Sequence, residues 1–170
     1  MKVQRQLSGL EPIVLDPVAD LKEDDWYRSP DGKWNVAQVV EHLAISMDLV
    51  ATGFEARAEK TGMERRATPS QSVVRHMLLG PGKLPAGMEA PDYTRPSEGP
   101  DREQITARFR MGVERTRVLL EQWPEERQLE VFLRHPIMGD LNLPEWVRFH
   151  FVHCKHHGRQ IEKLLEWLEE

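Results

Sequence analysis

Leu143-Pro144-Glu145-Trp146-Val147-Arg148-Phe149-His150-Phe151-Val152-His153-Cys154-Lys155-His156-His157-Gly158-Arg159-Gln160 carries four of the chain's seven histidines. Its opening reads as a helix start, because proline brings a pre-set φ to the first turn and the acid beside it complements the helix dipole. Downstream, Ile161, Leu164, Leu165 and Leu168 recur at helical spacing among charged residues, so the pattern predicts one helix from about Pro144 to Glu169. At about 100° per residue, His150, His153, His157 and Gln160 fall in one quadrant, and Trp146, Ile161, Leu164 and Leu168 share its direction. The imidazoles on this face point toward a core.

His153 and His157 stand four residues apart, so their rings stack one turn above the other and can converge on a divalent metal. His156 projects about 100° from His157, toward the flank. A competing set, His150, Cys154 and His157, also follows helical spacing, but Cys154 lies on the opposite edge of the apolar stripe from His153 and Gln160. The alternative to a metal is a group of core histidines whose ring nitrogens are satisfied by hydrogen bonds alone.

The 170 residues suit a single domain, 1–170, long enough for a sizeable core without staples. A formal charge of −5 without a dense Lys/Arg block argues against nucleic acid as a partner. One cysteine excludes an intrachain disulfide, which makes a cytoplasmic location the default expectation. The N-terminal residues Met1 to Leu7 lack the apolar core of a signal peptide, and no segment approaches the ~20 apolar residues of a membrane span. The expectation is a soluble protein without a membrane partner.

Pro12-Ile13-Val14-Leu15 reads as extended, followed by a short helical stretch around Val18 to Trp26 and a turn at Ser29-Pro30-Asp31-Gly32. A stronger helix begins at the cap residue Asn35 and carries Val36, Val39, Val40, Leu43, Met47, Val50 and Phe54, ending near Thr61-Gly62. Pro69 to Leu79 forms a third, stopped by Gly80-Pro81-Gly82. Residues 80–100 hold five of the twelve prolines and read as a long irregular connection that wraps the body or covers a site. Asp101 caps a helix running to Pro124. Residues 129–143 look extended, with a turn at Met138-Gly139-Asp140. Four amphipathic helices predict an all-α four-helix bundle with a short extended segment before its last helix, and bundles build metal sites from inward side chains on facing helices.

A catalytic zinc-type site needs a third protein ligand. His42 is the best supplier, on the flank of the stripe made by Val39, Leu43 and Val50. His135 precedes a proline in a loop and could reach a site mouth. His76 sits beside Arg75 on a polar face, where solvation explains it. Gln160, one turn beyond His157, could orient a ligand from behind, or could simply mark the bundle edge. Glu41 reads as solvated. Arg134 and Arg159 could meet an anionic substrate, although surface ion pairs account for them equally well.

Trp34-Asn35-Val36-Ala37-Gln38-Val39-Val40-Glu41-His42-Leu43 resembles the opening element of the DinB/YfiT-like superfamily, in which a tryptophan is followed by Glu or Gln and then by a histidine. His153, His157 and Gln160 resemble its closing element. His135-Pro136-Ile137-Met138-Gly139 with Trp146 is similar to a run in an uncharacterised branch of that superfamily. The resemblance spans about Trp34 to Gln160. It implies an up-down-down-up bundle, a homodimer, and a divalent metal held by His42, His153 and His157. The chemistry it implies is activation of water or of a low-molecular-weight thiol such as bacillithiol, mycothiol or glutathione, as in a hydrolase or a thiol S-transferase. Three-histidine sites suit Zn, Ni and Fe(II). A non-catalytic, metal-stabilised bundle and a small-molecule-binding bundle remain the alternatives.

Overall fold

The computed structural model describes residues 2–85 and 89–170. It is mostly helical. Two short helices, α1 (Lys2–Ser8) and α2 (Leu10–Val14), lead through 3-10 turns at Asp16–Val18 and Asp24–Tyr27 into α3 (Val36–Glu55). Next come α4 (Pro69–Leu79), a 3-10 turn at Asp92–Thr94, α5 (Arg102–Gln122) and the short α6 (Glu125–Glu130). A hairpin of β1 (Phe132–His135) and β2 (Gly139–Asn142) feeds α7 (Leu143–Glu169). The strands are antiparallel, with Phe132 opposite Asn142 and His135 opposite Gly139.

The long helices begin where side chains can satisfy their first amides. Asn35 and Gln38 form a reciprocal capping box on α3, as Thr68 and Gln71 do on α4 and Asn142 and Glu145 on α7. Asp101 accepts from the Gln104 amide at the start of α5. α3 lies along α5 and also meets α7, while α1 and α2 pack on α7. Gly112 permits the α3–α5 approach, because a Cβ there would sit 2.7 Å from the Met47 Cβ. Leu7, Leu10, Met47, Phe54, Phe109 and Ile161 belong to one contiguous core.

Several expectations are corrected. Residues 12–15 are not extended: Pro12 is the third residue of α2, a first-turn position that needs no amide donor. The helix expected around Val18 to Trp26 is replaced by the two 3-10 turns. α3 stops at Glu55, six residues early, because the following chain tightens into i→i+3 bonds such as Arg57 N–H to the Phe54 carbonyl at 2.8 Å. α6 occupies the start of the stretch read as extended. The hairpin turn is Pro136-Ile137-Met138, and Gly139 (φ +74°) follows it, where a Cβ would meet the Ala67 Cβ at 2.7 Å. In α4, Val73 and Met77 are exposed and only Leu78 is buried.

The irregular connection is as expected over 80–85 and 89–100, apart from the 3-10 turn; residues 86–88 lie outside the described residues. It is fastened to α3, since Glu41 accepts from the Ser97 backbone amide at 2.6 Å and Gln38 donates to the Ser97 carbonyl at 3.1 Å. Among the described residues, no helix is long and apolar enough to cross a membrane.

Candidate metal centre

His42 comes from the middle of α3, and His153 and His157 from successive turns of α7. All three are buried. The packing of α3 against α7 brings the His153 Nε2 to 3.1 Å from the Nε2 of His42 and 3.1 Å from that of His157. Among the described residues, this trio is the group of His, Cys, Asp or Glu side chains that could hold a metal ion. The competing set with Cys154 does not form; that side chain is fully buried, and burial pushes its thiol pKa up, so it stays protonated.

The outer nitrogens decide what the inner ones can do. His42 Nδ1 lies 2.7 Å from the Thr94 carbonyl, an acceptor only, so Nδ1 carries the proton and Nε2 is a bare lone pair. His157 Nδ1 lies 2.9 Å from Gln160 Oε1, which fixes the same tautomer there. Two lone pairs therefore face His153 Nε2, whose single proton could satisfy one of them. His153 Nδ1 is buried without a partner. Such an arrangement is costly for three neutral imidazoles and favourable around a cation. Nitrogens held about 2.05 Å from a tetrahedral ion sit about 3.3 Å apart, close to the spacing seen. The donor set fits a divalent metal.

Burial is the largest cause lowering all three pKa values. For His42 the bond to Thr94 partly opposes it. His153 lies well below the usual imidazole value, with neighbouring His157 and His42 adding to burial. His157 falls to about 3, through burial and His42, against the opposing bond to Gln160. All three are neutral at physiological pH, the state in which imidazole ligates metals.

A cavity of about 450 Å³ opens onto the three rings. Trp34 packs against His42 at 5.1 Å and His157 at 6.4 Å between ring centroids, and Phe149 stacks on His153 at 5.1 Å. A profile of the DinB superfamily matches residues 9–161.

The chain belongs to the DinB superfamily.

No curated protein and no solved structure gives a match. The expected membership of the superfamily is borne out by the match over residues 9–161. In this DinB-superfamily chain, the remaining candidates separate by position. Gln160 touches His157, as its spacing suggested. His156 is half-buried on the cavity wall, its ring 5.1 Å from that of His157. His135 is buried and lines the cavity, outside the trio. His150 is buried behind Trp146 and Phe149, outside the trio. His76 is exposed, with Nδ1 against the Ser72 carbonyl. Arg134 lines the cavity but is engaged by the Arg66 carbonyl, to which it donates, and by Asp140 at 3.6 Å; Arg159 is exposed. Glu41 is not simply solvated, since it anchors Ser97. Sequence reasoning had no means of finding the Thr94 carbonyl, because a backbone acceptor on an irregular segment leaves no residue-type signal.

Proposed function

We propose that His42, His153 and His157 hold one divalent ion, zinc, nickel or Fe(II), and that the adjoining cavity is the chamber of a metal-dependent enzyme acting on a small molecule or a low-molecular-weight thiol. The observation that carries this is the convergence of Nε2 atoms whose outer nitrogens are pinned by Thr94 and Gln160. An ion among three neutral imidazoles keeps its full charge and lowers the pKa of a water or thiol that reaches it by several units. The reaction class is hydrolysis or thiol S-transfer. Gln160 and the Thr94 carbonyl orient the ligand rings, Trp34 and Phe149 pack beside them and exclude water, and the cavity admits the reactant. An open chamber favours this reading over a metal that only stabilises the fold, since structural sites are closed.

We take residues 1–170 as one domain in an up-down-down-up four-helix bundle of α1–α2, α3, α5 and α7, supported by the packing of α3 on α5 and of α1–α2 on α7. We place it in the cytoplasm on its single buried cysteine, without nucleic acid or membrane as a partner, and as a homodimer by family resemblance.

Cobalt(II) substitution tests the open position. Adding a small uncharged thiol such as 2-mercaptoethanol to the cobalt protein should produce a thiolate charge-transfer band and shift the visible bands. A cobalt spectrum indifferent to thiol and to added anions would contradict an open site and leave a structural metal.

A further inference from the structure

The cavity has a buried histidine on its wall that the metal centre does not use. His135 ends β1 and lines the chamber. Its Nδ1 accepts the backbone N–H groups of Ile137 at 3.2 Å and Met138 at 3.3 Å. Two donors aimed at Nδ1 require that nitrogen to be bare, so the proton of the neutral ring sits on Nε2. Among the described residues, nothing hydrogen-bonds that Nε2–H. The ring packs 4.8 Å from Phe149, which also stacks on His153 at 5.1 Å. One phenylalanine ring separates His135 from the trio.

Several other polar groups on the wall have internal partners, whereas His156, half-buried beside His157, and the exposed Tyr93 are wetter than His135. The Ser46 hydroxyl donates to the His42 carbonyl, and the Thr94 hydroxyl to the Pro91 carbonyl. Arg134 is held by the Arg66 carbonyl and Asp140. Much of the remaining lining is apolar, including Trp34, Leu84, Leu133, Ile137 and Phe149. Apart from the solvent-exposed Arg134 and Glu89, a charged reactant would find little there to replace its hydration, whereas an apolar one carrying a single oxygen acceptor would pair the His135 donor.

We propose that His135 is a substrate-binding donor: its Nε2–H takes the carbonyl oxygen of a compact, uncharged apolar molecule whose other end lies at His42, His153 and His157. This rests on the reading of the cavity as the metal centre's chamber. Burial pushes His135 down to about 4, so the donor stays neutral at physiological pH. A neutral imidazole polarises a carbonyl without bringing a buried charge. Its unmet donor also discriminates against a hydrocarbon of the same shape.

The test compares para-acetylthiophenol with para-isopropylthiophenol, in which a methyl group replaces the carbonyl oxygen, on zinc-loaded and chelator-treated protein, with binding read by tryptophan fluorescence. The acetyl compound should bind wild type about tenfold more tightly. His135→Asn places an amide oxygen where Ile137 and Met138 can still donate, while its shorter side chain loses the reach into the cavity; the preference should fall to about onefold. In isotope-labelled wild type, nuclear magnetic resonance should show the Nε2–H tautomer of His135 and a downfield shift of that proton with the acetyl compound alone, a readout that does not depend on the variant's folding. Equal affinities in wild type, an unchanged ratio in folded His135→Asn, the opposite tautomer, or no binding of either compound overturns the proposal. Failure of the metal reading looks different: zinc would alter neither thiol's affinity, while the acetyl preference and its dependence on His135 would persist.

Discussion

Five of the molecule's histidines are buried, and they divide into a trio and a pair that respond to the same environment differently. In the trio, His42, His153 and His157 turn their Nε2 atoms toward one another. In the pair, His135 spends Nδ1 on two turn amides, and His150 leaves Nε2 buried without a partner. Burial is the first cause of a lowered pKa in all five. A depressed pKa therefore does not mark a metal site here; the direction of the lone pairs does. His150 shows what a core histidine costs when nothing uses it, and the trio shows an arrangement that asks for a cation.

The largest effect that would sharpen this contrast is the response of the metal-free protein to acid. Burial holds His135 at about 4 and His150 at about 3, with His135 adding to the latter, whereas an unfolded imidazole binds its proton near 6.5. The unfolded state thus binds more protons below pH 6.5. The stability these groups allow is present above that pH and is lost as the pH falls toward 4 and 3, at roughly 1.4 kcal/mol per pH unit per histidine. His150→Leu removes one such group and its orphaned nitrogen. Urea unfolding of chelator-treated protein should find the variant within about 1 kcal/mol of wild type at pH 7.5 and roughly 3 kcal/mol more stable by comparison at pH 4.5. Its metal content should be unchanged. Parallel pH profiles would show that His150 is not held neutral by the fold.

A smaller effect probes how the trio's tautomers are set. Gln160→Leu removes the acceptor on His157 Nδ1 while leaving every proposed ligand in place. Competition with a chromophoric chelator should show zinc affinity weakened about tenfold, the lower end of what such orienting partners contribute. An affinity equal to wild type would mean that the hydrogen bond orients nothing.

Much of the trio was legible because helical periodicity alone puts His153 and His157 one turn apart, and the Trp34-to-His42 element supplied the third ring. Helix starts were equally readable where a cap residue announced them, as at Asn35 and Asp101. Pro12 misled because a proline early in a helix looks the same in sequence as a proline that prevents one; the break at Gly9 makes its position a first turn. The end of α3 was overestimated because no side chain stops it; the backbone tightens of its own accord after Phe54. The partners behind the rings were hidden for different reasons. Gln160 could be read from spacing, but the Thr94 carbonyl and the Ser97 anchor on Glu41 belong to a connection whose path follows no periodic rule. The donor state of His135 depends on two backbone amides in the turn beside it.

The central claim is that the three converging imidazoles hold a metal, and elemental analysis tests it most directly. Desalted protein, reconstituted with zinc and passed again through a desalting column, should carry about one ion per chain, and His153→Ala, which removes the ring facing both others, should carry none while retaining its helical circular dichroism. Wild type that retains no zinc, or a folded His153→Ala that retains as much as wild type, would contradict the account.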